Sequence, residues 1–167
     1  TINVDGTLSY TPNTDFNGSD SINYEISDGN GGFSVATVDV IVNTPPTAAD
    51  DAITTNEDTA ITINGLENDS DPDGNELSLI SATAANGSVS MNLNDGTLTY
   101  IPNSNFTGSD TITYGVSDIY GGQSFATVYV TVNAVNFSPV VVSDEVVTDY
   151  GTTVAINVLA NDSDPDG

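Results

Sequence analysis

Residues 95–133 read DGTLTYIPNSNFTGSDTITYGVSDIYGGQSFATVYVTVN, and residues 5–43 read DGTLSYTPNTDFNGSDSINYEISDGNGGFSVATVDVIVN. Asp5 corresponds to Asp95, an offset of 90 residues, and Tyr10, Pro12, Phe16, Gly18, Asp20, Tyr24, Asp28, Gly32 and Asn43 recur at that offset. Apolar residues in the later copy alternate with period two. Ile112, Tyr114 and Val116 share one face, with Thr111 and Thr113 on the other. Ala126, Val128, Val130 and Val132 point inward, and Thr127, Tyr129 and Thr131 outward. Such alternation marks half-buried strands of an antiparallel sheet. Ala36, Val38, Val40 and Val42 repeat the pattern and are expected to face inward in their own copy.

Outward from this stretch, further short strands are expected at 51–55, 59–64, 77–83, 87–92 and 97–101, with Asn-Gly, Asp-Gly and Gly-Gly turn signals between them. No long segment has helical periodicity. Seven short strands in about 90 residues imply an all-β, immunoglobulin-like Greek-key sandwich. The stretch from Tyr100 to Asp110 reads as a packed corner, with Phe106 over the core and Gly108 at positive φ. A second block, NDSDPDG at 68–74, returns at 161–167, an offset of 93. The extra residues fall in the linker, where Val135-Asn136-Phe137-Ser138-Pro139 replaces Thr44-Pro45-Pro46. The expected organisation is the C-terminal part of one repeat (1–43), a complete repeat (44–133) and the N-terminal part of the next (134–167), within a longer tandem array. A unit of this size supports its own core, unlike a solenoid repeat.

The chain has 167 residues, 24 of them Asp or Glu, with no Lys, Arg, His or Cys, and a formal net charge of −24. No basic surface exists to neutralise phosphates, so neither nucleic acid nor an anionic membrane is an expected partner. A Ser-His-Asp triad, a thiol nucleophile, a Schiff-base lysine and a His or Cys zinc site are excluded. So are disulfides, lysine crosslinks and side-chain salt bridges. Only 37% of residues are hydrophobic, but they are patterned, so a folded chain is expected. No apolar run is long enough to span a membrane, and no secretory leader pattern opens the chain.

The carboxylates must therefore be balanced by water or bound cations. Two of them ~4 Å apart repel by about 4 kcal/mol at an effective dielectric near 20. Oxygen ligands favour Ca²⁺ or Mg²⁺ over zinc or copper. The strongest candidate is Asp69-Ser70-Asp71-Pro72-Asp73-Gly74, whose alternate carboxylates and glycine match positions 1, 3, 5 and 6 of a helix–loop–helix calcium loop. Ile80 stands where that loop needs its twelfth-position Glu, and no flanking helices are expected, so this is not an EF-hand. In a Greek-key unit Asp69, Asp71, Asp73, Asp118 and the linker acids Asp50 and Asp51 should meet at the leading end. Glu57, Asp58 and the corner acid Asp110 should lie at the trailing end. Head-to-tail stacking then predicts one junction joining Asp20 to the leading-end set. A second should join Glu57, Asp58 and Asp110 to Asp144, Asp162, Asp164 and Asp166.

Five motifs in order resemble the bacterial cadherin-like tandem repeats of large surface adhesins, of the RTX-adhesin and biofilm-protein extender type. They are Asn43-x-Pro45-Pro46; Glu57-Asp58-Thr59; Asn68-Asp-x-Asp-x-Asp-Gly74; Thr99-Tyr-x-Pro-x-x-x-Phe-x-Gly-x-Asp110; and Ser117-Asp-x-x-Gly-Gly122. The resemblance covers essentially the whole chain. It implies a β-sandwich, calcium at domain ends, secretion to the cell surface, and a stalk or adhesive role. The chain departs from the pattern at Tyr150-Gly151, which replaces Glu57-Asp58, and at Ile119-Tyr120, which replaces Gly29-Asn30.

The expected function is a calcium-stiffened extracellular spacer or adhesion repeat, with neighbouring repeats or head-to-tail copies as partners. The alternative is a carbohydrate-binding module that stacks Tyr120 and Tyr129 on a polysaccharide. Catalysis is not expected, because the acids sit in loops with metal-ligand spacing. A filament protomer, in which residues 139–167 of a neighbour complete residues 1–43, is the remaining possibility.

Overall fold

The structure, a computed structural model, describes residues 1–166. Gly167, the last residue of the repeated acidic block, lies outside the described residues. Among the described residues nine strands and no helix form: β1 (Gly18–Ser27), β2 (Phe33–Val42), β3 (Asp51–Asn56), β4 (Ile61–Asn64), β5 (Ser78–Ala84), β6 (Gly87–Asn92), β7 (Thr97–Pro102), β8 (Gly108–Ser117) and β9 (Gln123–Asn133). The last seven build a sandwich of a four-stranded sheet, order β3-β9-β8-β5, and a three-stranded sheet, order β4-β7-β6. β3 runs parallel to β9, and the other pairings are antiparallel. The chain changes sheet after β3, β4, β5 and β7, consistent with the expected Greek-key sandwich.

The period-two faces explain the core. Leu98 and Tyr100 from β7 meet Ile112, Tyr114 and Val116 from β8 and Val128 and Val130 from β9, all fully buried. Burying an aliphatic side chain of this size contributes about 1.5–3 kcal/mol. Phe106 packs against the edge of this core, and Gly108 turns the corner at φ 113°. One irregularity interrupts β5, where the register shifts between Leu79 and Ser81 and Ile80 is left outside the ladder. A bulge of this kind bends the strand without exposing Leu79.

The flanking copies correct one expectation. β1 and β2 pair in a ten-residue ladder from Gly18↔Val42 to Ser27↔Phe33, the register that β8 and β9 keep from Gly108↔Val132 to Ser117↔Gln123. Yet Val38 is 40% exposed where its counterpart Val128 is 0%. Ala36 is exposed too, and Val40 and Val42 are only half-buried. Among the described residues the hairpin has no opposing sheet. Periodicity marks the apolar face of a strand but not the layer that covers it. Residues 134–166 are largely exposed and are tied back by an isolated Val140↔Ser163 bridge.

Candidate metal-binding junctions

The acidic loop between β4 and β5 clamps the linker that precedes β3. Asp69 Oδ1 accepts from the Ala49 N–H at 2.8 Å, and Asp73 Oδ2 accepts from the Thr44 N–H at 2.6 Å. Thr47 and Ser70 exchange two backbone hydrogen bonds, at 2.7 and 3.0 Å. Asp71 works within the loop, where its Oδ1 accepts from the N–H groups of Asp73 and Asn75 at 2.9 and 3.1 Å. Gly74 follows at φ 75°, a conformation open to glycine. The next copy repeats the clamp. Phe137 N–H donates to Asp166 at 2.6 Å, Val142 N–H to Asp162 at 2.8 Å, and Asp166 N–H to Asp164 at 2.9 Å.

A third element joins the loop from the β8–β9 turn. Asp118 Oδ1 accepts from the Tyr120 and Gly122 N–H groups, and its Oδ2 accepts from the Asn43 side-chain amide at 2.8 Å. These bonds hold the Asp118 carboxyl below its usual range, the Asn43 bond first among them. A Cβ on Gly122 would lie 2.4 Å from Asp118 Oδ2, 2.9 Å from Pro45 Cα and 3.0 Å from Asn43 Nδ2. Only glycine lets the linker approach this closely.

After all these bonds, Asp71 Oδ2 and Asp73 Oδ1 are closed off from solvent and have no hydrogen-bond partner. A buried carboxylate oxygen without a donor is costly, and this chain has no side-chain cation to place beside it. Anionic carboxylate oxygens are the donor type that a hard divalent cation takes. Among the described residues no group of three or more acids converges on one point. A cation here would need its remaining ligands from neutral oxygens and water.

Asp51 and Asp69 form a separate pair of the leading-end set, around the hydroxyl of Tyr114. That hydroxyl lies 3.0 Å from the Ala49 carbonyl and 3.2 Å from Asp69 Oδ1. Burial raises the pKa of all three groups, and the charge of Asp69 raises Asp51 further. Asn68 Nδ2 donates to Asp51 at 2.9 Å, and Asp50 accepts from the Thr127 N–H at 2.8 Å.

At the trailing end, Glu57, Asp58 and Asp166 border one cleft of about 740 Å³, together with Asn105, Val135 and Phe137. Glu57 Oε1 accepts from the Val135 N–H at 2.6 Å and Asp58 Oδ1 from the Asn105 N–H at 3.1 Å. Two of the outer acids bond to a tyrosine of their own repeat. Asp110 is 4% exposed and turned inward, accepting from the Tyr100 hydroxyl at 2.7 Å and from Asn86 and Thr111. Asp20 is held in the same way by Tyr10 at 2.8 Å. A tyrosine ten residues upstream takes each carboxylate; Asp110 is thereby buried away from a junction, whereas Asp20 stays exposed. That spacing recurs in the sequence and was the available signal. Asp144 is exposed and borders no part of the trailing cleft, Asp162 holds the linker at Val142, and Asp164 serves its own loop. The acid-centred reading also missed Asn43, Asn75 and Gly122. Of these, Asn43 and Gly122 had been visible as repeated positions. Tyr120 and Tyr129 border different clefts, the first beside Asp73 and the second beside Thr111.

Residues 43–131 match the family model of the bacterial Ig domain, and residues 1–43 match that of the cadherin-like domain. Over 88 residues the chain is 40% identical to Protein GAMETE EXPRESSED 2 of Arabidopsis thaliana, a match covering 52% of this chain and 9% of the plant protein. Among solved structures, a nucleoside hydrolase-related hypothetical protein from Saccharophagus degradans, associated with carbohydrate metabolism, matches at 21% identity. Its TM-score is 0.42, over 56% of this chain and 26% of that one. An endo-fucoidan hydrolase of glycoside hydrolase family 107 matches at 20% identity and TM-score 0.42, over 71% of this chain and 19% of that one. The chain thus spans a minor part of the length of each of these proteins.

Proposed function

Because the chain belongs to the bacterial Ig domain family, we propose that it is an extracellular spacer repeat of a large surface protein, stiffened by calcium at its domain junctions. The observation that carries this reading is the pair of buried, unpartnered oxygens on Asp71 and Asp73, set against the linker in a chain without a basic side chain. The clamp of carboxylates on linker N–H groups supports it, because Asp73 both fixes the linker at Thr44 and keeps a free oxygen for a cation. The composition suits a surface role: high net charge resists association and aggregation. No helix among the described residues is long and apolar enough to cross a membrane. The chain acts by holding geometry rather than by catalysis.

Calorimetric titration with calcium, in competition with Mg²⁺, tests the reading. Binding is expected in the ~10⁻⁴ to 10⁻³ M range of extracellular modules, or tighter. Asp71→Asn with Asp73→Asn should abolish one site while the β-sheet circular dichroism persists. Absence of heat and of any thermal shift at millimolar calcium would refute the metal reading.

A further inference from the structure

We propose that Asn43 is the residue through which a cation held by Asp71 and Asp73 stiffens the preceding hairpin. This rests on the calcium reading above and adds the path by which occupancy is transmitted. Asn43 directly follows the last ladder pair of the hairpin, Gly18↔Val42. Its side chain reaches into the next domain twice. Nδ2 donates to Asp118 Oδ2 at 2.8 Å, and Oδ1 accepts from Asn75 Nδ2 at 3.4 Å. The Asn75 amide carries two N–H bonds, and it also donates to Asp71 Oδ1 at 3.2 Å. Asp118, Asn43, Asn75 and Asp71 thus form one continuous line of hydrogen bonds, with Asn43 between two loops of the sandwich whose flanking strands already pair at Ser78↔Ser117.

The two oxygens of Asp71 divide the work. Oδ1 collects the N–H groups of Asp73 and Asn75 and the Asn75 amide, while Oδ2, like Asp73 Oδ1, is shut off from solvent and has no donor. A cation can therefore bind Oδ2 without displacing the line that starts at Oδ1. Without it, repulsion between the Asp71 and Asp73 carboxylates works against the placement of Asn75, and the hold on Asn43 loosens. With it, the acidic loop is fixed and Asn43 is gripped from both sides. The end of the hairpin already abuts these loops: Gly18, Ser19 and Ile41 border a cleft of about 150 Å³ with Asp73, Asn75 and Tyr120. An asparagine serves here because one short side chain must both donate to a carboxylate and accept from an amide.

The chain lacks cysteine, so Ser34→Cys in the hairpin and Ser90→Cys in the sandwich can carry nitroxide labels at two exposed positions. Distances between them are read by pulsed electron resonance with and without millimolar calcium, and calcium heats are measured on the same samples. In the parent chain, calcium is expected to narrow the distance distribution at least about twofold. Asn43→Ala, and separately Asn75→Ala, should bind calcium within about threefold of the parent yet show no narrowing. Asp71→Asn with Asp73→Asn should lose both heat and narrowing. If Asn43→Ala narrows as the parent does, the coupling role is wrong and the calcium reading stands. If Asn43→Ala abolishes the heat, Asn43 is part of the site rather than its link, and the proposal falls. A parent chain without heat overturns the calcium reading and the coupling with it.

Discussion

Asp110 carries its charge almost out of contact with water, 4% exposed, under the Tyr100 hydroxyl. Burial works against the charged form, but hydrogen bonds from Tyr100, Thr111 and Asn86 outweigh it and hold the carboxyl below its ordinary 3.8. The unfolded chain then takes up the proton more readily than the folded one. The stabilisation is complete above about pH 4 and fades as pH falls through the folded value. Asp110→Asn should cost about 1.5–3 kcal/mol at neutral pH, as expected for hydrogen bonds to a charged group. Urea melts at descending pH should show the gap from the parent narrowing below pH 4. A gap constant from pH 7 to 2 would mean that the charge of Asp110 contributes nothing. The repeated Tyr-to-Asp spacing was legible in the sequence. Its inward direction was not, because an acid at a repeat corner fits a junction ligand as well as a tyrosine partner until the fold shows which way the side chain turns.

Two hairpins of the same length and register differ in what lies opposite them. β8 and β9 cover β7 across a sandwich, whereas β1 and β2 have no second sheet among the described residues. A lone two-stranded hairpin is marginal in water. Hydrogen exchange on this chain should find the β8–β9 amides protected by at least about 10³, as for a domain of ordinary stability. The β1–β2 amides should exchange nearly unprotected. Equal protection would mean that Val38 and its neighbours pack against a layer not seen in the fold. The strands themselves were readable from alternation and turn residues, and the bulge at Ile80 was not, since one extra residue leaves little mark on a short apolar pattern.

Across the whole molecule a net charge of −24 pushes every linker toward extension. Sodium chloride screens that repulsion over ~8 Å at physiological strength, but it supplies no directional ligand. Small-angle scattering should therefore separate charge relief from bridging. Calcium should narrow the spread of maximum dimensions, and sodium chloride at equal ionic strength should not. Superimposable profiles would leave a charged spacer without metal-fixed junctions.

The sequence by itself determined the repeat, the strands and apolar faces of the intact unit, the exclusion of basic-residue chemistry, and the acidic loop as the place to seek a cation. These depend on local spacing and composition, which need no knowledge of distant contacts. The tertiary structure alone decided which carboxylates share a junction. It turned Asp110 and Asp20 toward tyrosines, divided the leading-end acids between the Asp51–Asp69 pair and the Asp71–Asp73 pair, and brought Asn43 and Asn75 into line with Asp118. Each of these outcomes turns on where a short side chain spends its hydrogen bonds once loops far apart in the chain have met, and composition does not constrain that choice.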